Sequence, residues 1–200
     1  MENRRMKAYI LLADGFEETE AIATADVLMR AGIEVSYAMV PGMLGQDVFE
    51  LNNHLVRGSH NMTVKANMLL DQKKSARLLG DGDILILPGG KVGTENLKNS
   101  EAVKEAIQLY MSKGRKVCAI CAAPTVLGKY GFLKGRRATC YPGFEDYLDC
   151  AEYTGNATEV DGNIITGKSM GAAITFGLRI VAETLGYGTA EKVEESLYRG

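Results

Sequence analysis

Histidine is nearly missing from this chain: His54 and His60 are the only two in 200 residues. Both precede residue 70, so no histidine follows Cys121 and the cysteine–histidine order of papain-like and glutamine-amidotransferase-like enzymes is not available. Cysteine is also sparse. Four residues, at 118, 121, 140 and 150, are not the density of a disulfide-stapled secreted domain. No second Cys/His pair stands at zinc-ligand spacing, and no Gly-Lys-Ser/Thr follows Pro88-Gly89-Gly90, which excludes a phosphate-binding P-loop there. The N-terminal apolar run ends at Asp14 and is too short for a signal-peptide core or a membrane span. A formal net charge of −2 without blocks of like charge gives no reason to expect nucleic acid or an anionic membrane as partner. Cytoplasmic location with reduced thiols, and neither metal nor cofactor, is the expectation.

What is present is an ordinary globular composition, 46% hydrophobic and 24% charged, on a length that suits one domain over residues 1–200. Residues 1–5 read as a short leader. Strand-like and helix-like segments then alternate: a strand over 7–13, a helix over 17–31 closed by Gly32, a strand over 33–40, a strand over 83–87, a helix over 100–113 closed by Gly114, and a strand over 116–120. Ile22, Ala25, Leu28 and Met29 are expected on the buried face of the first helix. Residues 42–70 hold no convincing helix and read as a hairpin or extended excursion. Thr158-Glu159-Val160 and Ile164-Ile165-Thr166 flank Asp161-Gly162-Asn163, a hairpin signal, and a last helix runs from near Ala172 to about Leu185. The rhythm predicts an α/β protein with a mainly parallel sheet and helices on both faces.

Sites in such sheets form at the carboxyl ends of the strands, where three segments converge. The first strand runs into Asp14-Gly15-Phe16-Glu17-Glu18-Thr19-Glu20, the third into Pro88-Gly89-Gly90, and the fourth ends at Cys121. Ala119, Ala122 and Ala123 give Cys121 the small neighbours that a nucleophile elbow needs, and Pro124 suits a helix's first turn. At that position the helix N-terminus is expected to favour a thiolate. The N–H groups of Gly89, Gly90 and Ala122 would form an oxyanion hole beside it. Any of Glu17, Glu18 and Glu20 would serve as an acid/base partner if buried, and the residue types alone do not choose among them. Cys118 completes a C-x-x-C with Cys121, but its place inside a strand favours packing over a redox pair.

Gly15-Phe16-Glu17-Glu18-Thr19-Glu20, Leu87-Pro88-Gly89-Gly90 and Ala119-Ile120-Cys121-Ala122-Ala123-Pro124, in this order and spacing, resemble the ThiJ/PfpI superfamily, in the branch of the parkinsonism-linked deglycase and its bacterial relatives. The resemblance covers about residues 6–198. It implies a flavodoxin-like fold, usually dimeric, with Cys121 as nucleophile and Glu20 as the partner that shares its proton. Gly90 and Ala122 would supply backbone N–H groups, and Arg30 would lie near the pocket entrance. Four departures stand out. Ala122 occupies the position where family proteases carry histidine, which argues against peptidase activity. Tyr141 stands where many animal members have histidine, and His60 where some use arginine. Gly167-Lys168-Ser169-Met170-Gly171 replaces a Gly-Pro-Gly. The implied activity is cofactor-free conversion of 2-oxoaldehydes such as methylglyoxal to the hydroxy acid, or release of glycation adducts. A redox sensor or stress-responsive chaperone using the same cysteine is the rival, and a role in thiazole or thiamine metabolism a distant third.

Overall fold

Side chains alternate across Lys7–Leu12 (β1) with the two-residue period of a strand, and both sets are buried. Ala8, Ile10 and Leu12 enter one apolar core, whereas Tyr9 and Leu11 enter the other. Each fully buried aliphatic side chain contributes about 2 kcal/mol, so a strand apolar on both faces belongs at the centre of a covered sheet. The computed structural model, which describes residues 4–42, 47–70, 78–150 and 152–197, places β1 there.

The chain continues through Glu18–Arg30 (α1), Glu34–Met39 (β2), Val48–Asn52 (α2), Leu55–Arg57 (β3), Thr63–Lys65 (β4), Met68–Leu69 (β5) and Ile84–Leu87 (β6). Lys91–Lys98 (α3), Glu101–Ser112 (α4), Lys116–Ile120 (β7), Pro124–Lys129 (α5), Arg137–Ala138 (β8) and Glu152–Tyr153 (β9) follow. Thr158–Asp161 (β10), Ile164–Gly167 (β11), Ala173–Leu185 (α6) and Tyr187–Ser196 (α7) complete it. The main sheet has the order β10-β11-β7-β6-β1-β2-β5, parallel except for the β10–β11 hairpin. Residues from α1, α6 and α7 cover one face, and residues from α3, α4 and α5 the other. This is the flavodoxin-like α/β arrangement expected from the sequence. Strand order reverses on the two sides of β1, so the crevice for a ligand opens at the carboxyl ends of β1 and β6.

Several local expectations are corrected. Ile22 and Met29 are 44% and 51% exposed, because the buried stripe of α1 runs through Ala21, Ala25 and Leu28 at helical spacing. Residues 42–70 do carry a helix, the single turn-and-a-half of α2, capped by the Asp47 carboxylate at the Phe49 N–H (2.7 Å); the expected hairpin is β3–β4. Residues 43–46 lie outside the described ones. Helix α3 and the terminal helix α7 had no counterpart in the sequence reading. Within the expected leader, Arg4 is bound just ahead of the neighbouring strand β6, its guanidinium donating to the Asp81 carbonyl (2.7 Å) and the Asp83 carboxylate; residues 1–3 lie outside the described ones. Among the described residues no helix is long and apolar enough to cross a membrane.

Candidate active site

The strand β7 ends at Ile120, and Cys121 follows it with φ of 65°, in the left-handed region that an L side chain enters only at a cost. Backbone pairing enforces this. The Cys121 N–H donates to the Gly167 carbonyl (2.9 Å), and its own carbonyl accepts from Tyr141 N–H (2.8 Å). The chain then turns into α5, with Pro124 in its first turn and the Thr125 hydroxyl donating to the Ala122 carbonyl (2.8 Å). A half-buried thiol is thereby held above the sheet.

Gly89 explains how a carboxyl reaches that thiol. A Cβ at Gly89 would lie 2.7 Å from both Cys121 Cβ and Glu20 Oε2, so only glycine lets the two side chains meet there. The Gly89 N–H donates to Glu20 Oε2 at 2.7 Å. Oε1 is buried without a hydrogen-bond partner, and the carboxyl interacts with the Cys121 thiol. Gly90, with φ of 87°, turns the chain into α3; a Cβ there would collide with the Gly15 carbonyl, and its N–H is directed at the sulfur together with that of Ala122. Of the three N–H groups expected to face an oxyanion, that of Gly89 is committed to Glu20, and those of Gly90 and Ala122 face the sulfur.

Burial pushes the Glu20 carboxyl up to about 7, against the Gly89 hydrogen bond that favours its ionised form. The thiol is pushed up to about 12 by burial, by the charge of Glu20 and by their hydrogen bond; the N–H groups of Ala122 and Gly90 offset only part of this. The expectation of a ready thiolate at the helix end is thus overruled while Glu20 is ionised. Two negative charges in contact are costly, so both groups are raised and the pair gives up its protons as one coupled unit, keeping one after the first has left.

Cys121 borders two lobes. One, of about 250 Å³, is lined by Glu17, Glu20, Gly90, Ser169, Met170 and Gly171. The other, of about 270 Å³, is lined by Lys91, Ala122 and Phe144. Tyr141 and Cys121 belong to both.

A model of the DJ-1/PfpI family matches residues 6–183. The chain belongs to the DJ-1/PfpI family. It is 34% identical over 194 residues to the Parkinson disease protein 7 homologue of Danio rerio, covering 96% of each chain. A protein from Pyrococcus abyssi named as a deglycase is 30% identical over 168 residues, covering 83% of this chain and 92% of that one. The crystal structure of Drosophila melanogaster DJ-1beta superposes with a TM-score of 0.86 at 32% identity, covering 98% of this chain and 100% of that one.

Two residues assigned to the pocket of this DJ-1/PfpI chain lie elsewhere. Arg30 is the last residue of α1, about 15 Å of helix rise beyond Glu20, and is paired with Asp26 at 2.7 Å. His60 is an exposed loop residue that lines neither lobe. Its backbone N–H donates to Glu18 Oε1 (2.6 Å) and its ring Nδ1 lies 3.0 Å from Glu18 Oε2. Burial opposes ionisation of Glu18, yet the His60 ring, backbone N–H groups and the Ser59 hydroxyl outweigh it and hold the carboxyl at about 2. Glu17, Glu18 and His60 form the one group of three metal-type donors found among the described residues; the Ser59 hydroxyl hydrogen-bonds to both carboxylates and the ring, so these atoms serve one another. Glu18 thus fastens the loop, Glu20 meets the thiol, and Glu17 faces a lobe. Cys118 is fully buried in β7, and burial pushes its thiol far up, as suits packing. Sequence reading missed Lys91, Phe144, Ser169, Met170 and Gly171 as lining residues. They come from separate segments, and only the Gly167–Gly171 departure hinted at any of them.

Proposed function

We propose that this protein is a cofactor-independent, cysteine-dependent enzyme that converts 2-oxoaldehydes such as methylglyoxal to 2-hydroxy acids, and that releases the corresponding glycation adducts by the same chemistry. The observation that carries the reading is the single proton shared by Cys121 and Glu20 beneath a small cavity, with the N–H groups of Gly90 and Ala122 aimed at the sulfur. The relative named as a deglycase adds support for a small reactive carbonyl as substrate.

In this scheme the sulfur adds to the aldehyde carbon. A C–S bond forms, the carbonyl electron pair moves to oxygen, and the Gly90 and Ala122 N–H groups hold that charge until it takes the proton of the pair. Glu20, now a carboxylate, removes the hydrogen on C1 as a proton to give an enediol and returns it to C2, while the proton on the C1 oxygen passes to the C2 oxygen. C1 is oxidised and C2 reduced, so no external oxidant or reductant is needed. The product is a thioester of the 2-hydroxy acid; water cleaves its C–S bond, releasing the acid and the thiol. With Ala122 in the place of a histidine and Tyr141 beside the sulfur, Glu20 is the one proton carrier in contact with the thiol.

Lactate formation from methylglyoxal without glutathione tests this. Cys121→Ala is expected to lose all turnover, and Glu20→Gln to lose roughly 10²–10⁴-fold; full activity in Cys121→Ala would sink the scheme. The redox-sensor reading rests on the same donors, which would also hold a sulfinate on Cys121. It predicts that mild peroxide oxidises Cys121 ahead of half-buried Cys150 in intact-mass and peptide analysis, in a protein without turnover.

A further inference from the structure

The two lobes that share Cys121 differ in chemistry. One contains the proton-carrying groups: Glu20, with Glu17 beside it. The other has the Ala122 methyl as its floor and the Tyr141 and Phe144 rings as its wall, packed edge-to-face with centroids 6.3 Å apart and planes at 76°. Lys91 stands exposed at its rim and forms no ion pair among the described residues. Nothing in the scheme above uses this second lobe.

We propose that the Tyr141–Phe144–Lys91 lobe is the subsite for the substituent of the oxoaldehyde, and that it selects aryl groups, favouring a ring that carries a carboxylate. The inference rests on the proposed function, since it names which 2-oxoaldehydes that site takes. The oxygens of the Cys121 adduct must face Glu20 and the Gly90 N–H, where protons and charge are handled. The C1 hydrogen that Glu20 takes faces the same side, which leaves the substituent carried on C2 to turn toward the other lobe, lined by Tyr141, Phe144 and Lys91. A flat aromatic group extends the existing edge-to-face pair with little loss of rotamer freedom. A carboxylate on that ring is repelled from the side that holds Glu17 and Glu20 and meets the Lys91 ammonium instead.

Alkylation of Cys121 reads the lobe without requiring turnover. With an α-bromoketone the sulfur forms a C–S bond to the methylene carbon, the C–Br bond breaks and bromide leaves. Rates at Cys121 would be followed by peptide mass spectrometry for bromoacetone, phenacyl bromide and 4-(bromoacetyl)benzoate, each normalised to the rate with glutathione. The wild-type protein is expected to prefer phenacyl bromide over bromoacetone by about tenfold, the scale of one well-packed ring, and Phe144→Ala to abolish that ratio. Lys91→Met removes only an exposed charge and is expected to lower the 4-(bromoacetyl)benzoate to phenacyl bromide ratio severalfold, which keeps the test alive should Phe144→Ala fold poorly. No labelling by phenacyl bromide, a normalised aryl preference no greater than unity, or ratios unmoved in both variants would overturn the proposal. Methylglyoxal turnover, measured separately, decides the reaction itself: turnover without aryl preference removes the subsite alone, and aryl preference without turnover leaves the lobe standing and removes the reaction.

Discussion

At the scale of single residues, the site depends on one strained backbone and one displaced proton. Cys121 pays for its exposure with a left-handed φ of 65°, held by pairing to Gly167 and Tyr141. Replacing it with glycine relieves the strain, whereas alanine keeps it. Urea titration is expected to show Cys121→Gly more stable than Cys121→Ala by about 1 kcal/mol; equal midpoints would mean that the turn carries no strain. The proton matters for rate. Because burial raises the Glu20 carboxyl to about 7, the Cys121–Glu20 pair carries two protons in acid and one above that value. The singly protonated form is the nucleophilic one, so kcat/KM should rise with pH through an inflection near 7. Glu20→Gln should remove that inflection from whatever activity remains, as a pH-rate profile would read. The motif around Cys121 made its position at the strand-to-helix turn legible from sequence. Glu20 was not separable from Glu17 and Glu18 by residue type, because which carboxyl faces the thiol depends on the rotation of α1 and on the opening left by Gly89.

At the scale of elements, the three acids Glu17, Glu18 and Glu20 at the start of α1 do three different jobs. Glu17 caps the helix, its carboxylate accepting from Thr19 N–H (3.3 Å), and faces a lobe. Glu18 turns the other way and fastens the 58–60 loop, while the Phe16–Gly58 bridge and the Ser59 N–H to Phe16 carbonyl bond (2.8 Å) hold the backbone. The sign of its contribution follows from a lowered value: stability from Glu18 is present above the ordinary carboxylate range near 4.5 and is lost as pH falls toward about 2. Glu18→Gln is expected to flatten the acid limb of the stability profile, measured by thermal unfolding between pH 5 and about 2; an unchanged limb would show that His60 and Ser59 contribute nothing to the loop. The family arginine position fails at the same scale. Arg30 sits at the wrong end of α1 for the pocket, a consequence of helix rise that a motif match does not carry.

For the molecule as a whole, the site opposes stability in the range where it works. Glu20 has a raised carboxyl, so the folded state binds its proton more tightly than the unfolded chain does. The favourable contribution is fully present below about 4.5 and is lost as pH climbs through about 7. Denaturation midpoints should therefore decline over that interval in the wild type, and decline less in Glu20→Gln; parallel curves would mean that Glu20 is not buried in solution as it is here. Such a cost is common where a fold keeps a proton carrier away from water. The sequence by itself determined the α/β class, the parallel core strands and the place of Cys121 at a tight strand-to-helix turn. Those rest on short-range physics: the two- and 3.6-residue periods of apolar side chains, glycine at helix ends, and small residues around a tight turn. Only the tertiary structure decided that Glu20 rather than its neighbours meets the thiol, that the Gly89 N–H serves the carboxyl, and that two unlike lobes share Cys121 and Tyr141. Each of these is fixed by segments from different strands meeting at the point where the strand order reverses, a distance in sequence that no local pattern records.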